Sequence, residues 1–505
     1  MQPLSILYYL LGYFVLISII TWYTTRKADS LSFYLGNKKS PWPLVAFGMI
    51  GTSISGVTFI SVTGMVATSK FSYLQFVLGL TVGYQIIAFI LLPMYYRLNL
   101  TSIYTYLDLR FGTNSHKVGS FYFLLARTLG AAARLYLVVE VLNDLVFKSL
   151  GIPFEVSVAF IILLIFVYTV KGGVKTIVYT DTIQTSVMIL AVFVCIWEIS
   201  KALHQPLFTI ATEVNSQGYT AIFTSGAGGF WKNFLSGIFI CVGMTGLDQD
   251  LMQKNLSIKN IGDAQKNMLS FSAISLVVNM LFLTLGAFIA YYMQLKGIKV
   301  ARPDLAFGEV ATHYFSSFGA LIFVVGLVAI SFASADSALT ALTTSFCIDI
   351  LNFDATDPSR VRQRQLVHFG FSLLSFLLII FLFKGSQNSV ITIVYAIGSY
   401  TYGPLIAMYA FGLLVKRSIA DKLVPYIAVI SALIIVTFSM LAAYHSIQMG
   451  TAKITTATLN SMHGFTYFTA LFNNGFGTEV IIYNALLTFV GLFIFSRKQE
   501  NFILV

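Results

Sequence analysis

The 505-residue chain has little charge: 10% of its residues are charged, while 57% are hydrophobic. Soluble globular proteins carry about 25% charged residues, so this composition excludes a soluble fold. The mean hydropathy of +0.82 indicates an integral membrane protein embedded in a lipid bilayer. Its length fits one membrane domain of about a dozen helices, because each span needs roughly 20 apolar residues.

Cysteine and histidine are scarce as well. The three cysteines, Cys195, Cys241 and Cys347, lie in apolar segments and form no CxxC pair or Cys/His cluster. Neither a disulfide framework nor a zinc site is therefore predicted. The six histidines are scattered, and the chain contains no G-x-S-x-G and no H-E-x-x-H motif. These absences argue against a membrane enzyme.

The net charge of +11 is explained by lysines and arginines in loops, and not by a nucleic-acid partner. If the N-terminus lies outside, most of the basic residues, Lys254 among them, fall in inside loops. Because inside loops are enriched in lysine and arginine, the sequence predicts an N-out, C-in orientation.

Hydropathy predicts thirteen membrane spans. The first lacks a basic start and a small-residue cleavage site, so we interpret it as a retained helix. Without a targeting segment, we expect a multi-pass protein of the plasma (cytoplasmic) membrane. The longest polar stretches, 201–228 and 447–477, are predicted to be loops, and no soluble domain is expected. The predicted spans are 5–23, 44–67, 72–96, 119–147, 152–170, 178–200, 229–247, 268–293, 317–350, 366–384, 390–415, 423–446 and 478–496.

Glycines interrupt two of these spans, "AFGMIGTSISGVTFISVTGM" (46–65) and "GIFICVGMTGLDQD" (237–250). Close helix packing through small residues is one explanation. Gly-interrupted helices at matching places in two halves are also the pattern of an inverted-repeat transporter. A broken helix exposes backbone carbonyls that can bind a cation.

Asp336 lies in the middle of an apolar helix, in "SFASADSALTALTTSFCIDI" (331–350). A carboxylate at this depth is costly unless it is paired. Asp336 shares a helical face with Ala333, Ser337 and Thr340, which helical steps of three and four connect. Carboxylate, hydroxyl and backbone carbonyl form an all-oxygen set that suits a monovalent hard cation. The alternative is a neutral Asp336, or one that pairs with Arg127 or Arg134 for packing only.

Two further ionisable residues are candidates. Asp181, in "YTDTIQTS" (179–186), reads on its own as a helix N-terminal residue favoured by the helix dipole. Arg134, in "RTLGAAARLYLVVEVL" (127–142), could clamp a substrate carboxylate bidentately. It could equally pair with Glu140 or Asp336.

Five motifs occur in one order along the chain. Together they resemble the sodium:solute symporter family, whose members transport sugars, proline, sialic acid, pantothenate, vitamins or iodide, over roughly residues 1–420. The motifs are "SFYLGNKKSPWPLVAFGM", "TSIYTYLDLRFG", "YTVKGGVKTIVYTDTIQT", "GLDQDLMQKNLSIKNIGDAQK" and "SALTALTTSFCIDIL".

The resemblance implies an all-α, LeuT-like polytopic fold of two inverted five-helix repeats. The repeats would be residues 44–200 and 229–415, with flanking helices at 5–23 and 423–496, all in one transporter domain. The family's sodium site then implies ligands from four residues of this chain, which are the backbone oxygens of Gly51, Ile54 and Ile330 and the side chain of Ser334. Ala333 stands where relatives often carry a second hydroxyl, so one ligand is missing.

Some members of the family hold a second sodium, and the matching residues here are Asp181, Asp336 and Ser337. Asp336 stands where relatives often carry serine or threonine, so we expect it to face Asp181 across a cation. Two carboxylates that close cannot both be ionised without a cation or a proton between them. A proton-coupled variant is therefore the alternative.

For the substrate, the resemblance implies four candidate residues, Thr58, Arg134, Cys241 and Met244. In sialic-acid-transporting relatives an arginine on the third core helix binds the substrate carboxylate, and Arg134 lies on the comparable span. Sugar-transporting relatives carry Gln and Asn where this chain has Thr58 and Cys241, so a sugar is not predicted.

We expect a sodium-coupled secondary active symporter that imports a small polar or anionic organic solute by alternating access. Na⁺ is the expected coupling ion, with no organic cofactor, no enzymatic activity and no obligatory protein partner. The alternatives are a proton-coupled carrier of the same fold and, more remotely, a membrane enzyme or channel. Solute accumulation against a gradient would separate a carrier from a channel.

Overall fold

The computed structural model describes residues 3–25, 30–223, 229–300, 302–384, 390–449 and 477–498, which are almost wholly helical. Two strands, β1 (Arg417–Ser418) and β2 (Arg497–Lys498), pair antiparallel. The helices are α1 (Pro3–Thr25), α2 (Ser30–Leu35), α3 (Trp42–Ser53), α4 (Thr63–Ser69), α5 (Tyr73–Ile86), α6 (Leu92–Arg97), α7 (Thr105–Arg110), α8 (Thr113–Leu142), α9 (Phe154–Leu203), α10 (Leu207–Ser216), α11 (Phe230–Cys241), α12 (Gln249–Leu256), α13 (Ile261–Lys296), α14 (Ala306–His313), α15 (Ser317–Ser345), α16 (Val361–Leu378), α17 (Val390–Leu414), α18 (Val424–Gln448) and α19 (Val480–Ile494).

Nine helices in the described part of the chain are long and apolar enough to cross a membrane, and a bent pair makes a tenth. One of the nine, Thr58–Arg97, covers parts of two predicted spans, and Lys70 separates them with a positive φ of 52°. Two shorter apolar helices, Phe154–Val170 and Val480–Ile494, lie where further spans are predicted. Thirteen spans and the N-out orientation stay predictions.

The predicted loop at 201–228 needs a correction, because it contains helix α10. Pro206 precedes this helix, and proline is well tolerated just ahead of the first turn. Ile210 and Val214, four residues apart, bury one face of α10. Most of the other predicted loop, residues 450–476, lies outside the described residues.

Both predicted helix interruptions are confirmed. Helix α3 ends at Ser53 because Ile54 leaves the helical region, with φ −90° and ψ 85°, and the chain continues as a π-helix over Thr58–Val62. The second break follows the π-helix Val242–Gly246, where the axis turns by 62° into α12. The Asp248 side chain caps α12 by accepting a hydrogen bond from the backbone N–H of Asp250.

Helix α15 lies at the centre of the fold, packed against α3, α8 and α9, and every residue from Gly326 to Ser345 is buried. Helix α9 is interrupted at Gly173, whose φ is +61°. A Cβ atom there would overlap the backbone of Phe33, so this turn of the chain requires glycine. The break gives the second half of α9, which carries Asp181, its own position beside α3 and α15.

Candidate functional site

A pocket lies where the break after α3 faces α11, α8 and α17. Its empty volume is about 710 Å³, part of it open to solvent. All four predicted substrate residues, Thr58, Arg134, Cys241 and Met244, line this one pocket. That they act on a substrate stays a prediction.

Arg134 reaches the pocket from α8 and is half-buried. It makes no hydrogen bond or ion pair with any residue that the structure describes. Its two proposed protein partners are engaged elsewhere: Glu140 accepts from Tyr136 and from Arg302, both at 2.9 Å, and Asp336 accepts from Tyr168. The guanidinium is therefore available to a ligand in the pocket.

Arg127 lies two turns earlier on the same helix, and both terminal nitrogens of its guanidinium are paired. It forms ion pairs with Asp250 and, at 3.7 Å, with Asp248. Asp248 also accepts a 2.6 Å hydrogen bond from the Tyr402 hydroxyl. Arg127 is 5% exposed and the two carboxylates 1–2%, so the pairing compensates charges that would otherwise be costly to bury.

The four predicted sodium ligands come from α15 and from the end of α3. Among the described residues, no hydrogen bond reaches the carbonyl oxygens of Gly51 and Ile54. Those carbonyls are the orphan acceptors that a helix end leaves. Ile330 and Ser334 lie one turn apart on α15, and Ser334 is 3% exposed.

Gly51 is where α3 comes closest to its neighbours. A Cβ atom on Gly51 would lie 3.4 Å from Cβ of Ala333 and 2.5 Å from Oγ1 of Thr185. The Thr185 hydroxyl is fully buried and has no hydrogen-bond partner among the residues that the structure describes. An uncommitted oxygen on α9 therefore lies next to Ala333, the position where the resemblance implies a missing hydroxyl.

The three residues predicted to form a second cation site all have protein partners. Asp181 pairs with the Lys254 ammonium, Asp336 accepts a 2.9 Å hydrogen bond from the Tyr168 hydroxyl, and the Ser337 hydroxyl donates to Asp250. The Oδ1 atoms of Asp181 and Asp336 have no hydrogen-bond partner in the described part of the chain. Arg127 and Arg134 pair with neither carboxylate among the described contacts.

Helix α12 supplies partners that the sequence analysis missed. Lys254, predicted to lie in an inside loop, is 2% exposed, and its ammonium contacts both Asp181 and Thr52. Gln253 donates to the Tyr34 carbonyl at 2.6 Å and to the Thr344 hydroxyl at 2.9 Å. We call the buried side chains of α12 and its cap, with their partners, the α12 network.

The signal for the α12 network was present in the sequence. Asp248, Asp250 and Lys254 all lie in the motif "GLDQDLMQKNLSIKNIGDAQK". Three charged residues within seven positions were assigned to a solvated loop, which is the usual place for such a run. A helix following a glycine break instead buries them between α3, α8, α9 and α15.

The fold and the pocket define a membrane transporter, with a central cavity beside two broken helices. A sequence model of the sodium:solute symporter family matches residues 33–421. The chain belongs to this family. The names of its sodium-coupled relatives give the proton-coupled alternative no support.

Individual relatives and solved structures match this chain over most of its length. The chain is 22% identical to the sodium/sialic acid symporter NanT of Aliivibrio fischeri over 81% of its own length and 82% of the relative's. A solved Na⁺-coupled sialic acid symporter, in a substrate-bound outward-open state, superposes with a TM-score of 0.76 at 18% identity, over 98% of this chain and 99% of that one. Mhp1, a nucleobase-cation-symport-1 family transporter in a closed conformation, gives 0.53 at 15% identity, over 92% and 94%. The LeuT-like fold is thereby confirmed.

Proposed function

We propose that this chain is a sodium-coupled symporter of the plasma (cytoplasmic) membrane that imports a small organic solute bearing a carboxylate. The observation that carries the proposal is Arg134, a guanidinium on the pocket wall with no partner among the described residues. A charge at membrane depth is costly when unpaired. A solute anion is the natural partner for it.

The arginine side chain fits a carboxylate better than a hydroxyl. Its planar fork donates two parallel hydrogen bonds to the two carboxylate oxygens. The relative NanT is named a symporter of sialic acid, a solute that carries an acid group. Thr58, Cys241 and Met244 offer this solute a small, weakly polar surface on the other walls of the pocket.

Sodium would bind between the end of α3 and helix α15, on the carbonyl oxygens of Gly51, Ile54 and Ile330 and the hydroxyl of Ser334. Carbonyl and hydroxyl oxygens are the ligands that a hard cation prefers. An ion there favours the conformation in which α3 and α15 are close. Ion and solute are then coupled because each binds one conformation of the carrier better than the other.

The test is uptake into proteoliposomes that contain the purified protein. A panel of radiolabelled monocarboxylates and acidic sugars, with their neutral amides or alcohols, is offered with an inward Na⁺ gradient or with choline. We expect Na⁺-dependent accumulation of an acid and not of its neutral analogue. Arg134→Gln should lose this uptake while still folding, because Arg134 forms no hydrogen bond or ion pair with any described residue.

Arg360→Gln is the matched control, since Arg360 is an exposed arginine 47% accessible in a surface turn. It should transport like the unmodified protein. Na⁺-independent uptake would contradict the sodium coupling. Equal uptake by Arg134→Gln would contradict the carboxylate assignment and leave the sodium coupling standing.

A further inference from the structure

Lys254 occupies the position where the sequence analysis places a second cation. Its ammonium contacts Oδ2 of Asp181 and the hydroxyl of Thr52. Lys254 and Asp181 are 2% and 0% exposed, so water does not compensate either charge. The closest cationic group to Asp181 among the described residues is therefore a side chain of the protein itself, the Lys254 ammonium.

The neighbouring groups are arranged around this lysine. Asp336 is near enough for the charges of both Asp181 and Lys254 to act on it. The Oδ2 atom of Asp336 already accepts a hydrogen bond from the Tyr168 hydroxyl. The Ser337 hydroxyl, the third predicted ligand, is directed to Asp250 of the same helix α12 that carries Lys254. Helix α12 thus engages two of the three residues that a second sodium would need.

We propose that Lys254 is the built-in cation of this second site, so that the protein binds one Na⁺ per chain and not two. The inference rests on the proposed function, because it assumes that Na⁺ binds between α3 and α15. An ammonium ion in contact with Asp181 supplies the charge that a second Na⁺ would supply. It also repels such an ion, since two like charges interact strongly where water is excluded.

The sodium that remains is the one at Gly51, Ile54, Ile330 and Ser334. Thr52, which contacts Lys254, directly follows Gly51 in the sequence. The fixed ammonium and the exchangeable ion therefore lie on adjacent residues of α3. Removing the lysine charge should both free Asp181 for a second Na⁺ and raise the affinity of the first.

The experiment counts bound ²²Na⁺ on the purified full-length protein in detergent, with choline chloride keeping the ionic strength constant. The unmodified protein should bind one Na⁺ per chain with a Hill coefficient of about 1. Lys254→Gln should bind two, with a Hill coefficient above 1, because Asp181 has lost its cation. Lys254→Arg keeps the charge and should stay at one.

The double variant Lys254→Gln/Asp181→Asn removes both charges and leaves no buried ion unpaired. It should bind one Na⁺ even where Lys254→Gln alone fails to fold. The proposal would be overturned if the unmodified protein bound two Na⁺ per chain and the double variant bound one. It would also be overturned if Lys254→Gln folded and still bound one Na⁺ per chain. If the unmodified protein binds no Na⁺, the proposed sodium coupling fails first, and this result is distinct from a count of two.

Discussion

Two arginines on helix α8 have opposite surroundings. Arg127 is held by Asp248 and Asp250, whereas Arg134, seven residues later, has no partner among the described residues. Both lie in the wall of the same pocket. The same residue type therefore has two different environments within two helical turns.

The difference separates a permanent part of the site from an exchangeable one. Among the described residues of the α12 network, each buried charge of α12 and its cap meets an opposite charge. In the predicted orientation this network lies on the cytoplasmic side of the protein. In contrast, among the described residues Arg134 in the pocket, and Ser334 and the carbonyls of Gly51 and Ile54 between α3 and α15, have no such partners. In the proposed function, these are the groups that bind and release the solute or the ion in every transport cycle.

The largest expected effect on stability is that of Arg127→Met. It leaves the buried Asp248 and Asp250 without their cation, and breaking a buried ion pair in this way costs about 3–5 kcal/mol. Arg134→Met should instead be neutral or stabilising, because it removes an unpaired charge. The measurement is the thermal unfolding midpoint of each variant in detergent, in choline and without solute.

These two variants are each other's control, since they make the same substitution on one helix. Equal midpoints would show that Arg134 has a structural partner. A stable Arg127→Met would show that the α12 network contributes little to the fold.

Two serines one turn apart on α15 give a smaller contrast. Ser337→Ala removes a hydrogen bond to the charged Asp250 and should cost about 1.5–3 kcal/mol of stability, with or without Na⁺. Ser334→Ala should leave stability in choline unchanged but abolish the stabilisation by Na⁺, which is about 2.7 kcal/mol at one hundred times the dissociation constant. The unfolding midpoint of both variants, titrated with NaCl against choline chloride, checks this.

The reverse pattern would contradict the assignment. If Ser337→Ala lost the Na⁺ effect and Ser334→Ala kept it, sodium would bind at the second site.

Local patterns in the sequence predicted the membrane helices and their two breaks, whereas the family resemblance implied the LeuT-like fold and most of the candidate pocket residues. Glycine runs marked both broken helices, and an isolated arginine in an apolar helix marked Arg134. The partners of Asp181 and Asp336 could not be predicted, because they come from residues 73 positions away on α12 and 168 positions away on α9. From the sequence alone, a run of charged residues is assigned to a loop, because its oppositely charged partners become visible only in the tertiary structure. Helix α10 was also missed, because its buried apolar face is short.

The smallest expected effect concerns a carboxylate outside the membrane spans, where water does part of what protein partners do in the α12 network. Asp357 accepts hydrogen bonds from Ser359, one of them a 2.8 Å bond from the backbone N–H. The Ser359 side chain first, and then its backbone N–H, lower the pKa of Asp357 below its usual value.

The contribution of ionised Asp357 to the stability of the fold is therefore complete above the pKa of this group in the unfolded chain, about 3.9. It is lost as the pH falls through the lower folded value. Asp357→Asn should lower the unfolding midpoint slightly at pH 7, and the gap to the unmodified protein should close as the pH falls through the folded pKa of Asp357. A gap that persisted in acid would mean that the loop depends on Asp357 for its shape and not for its charge.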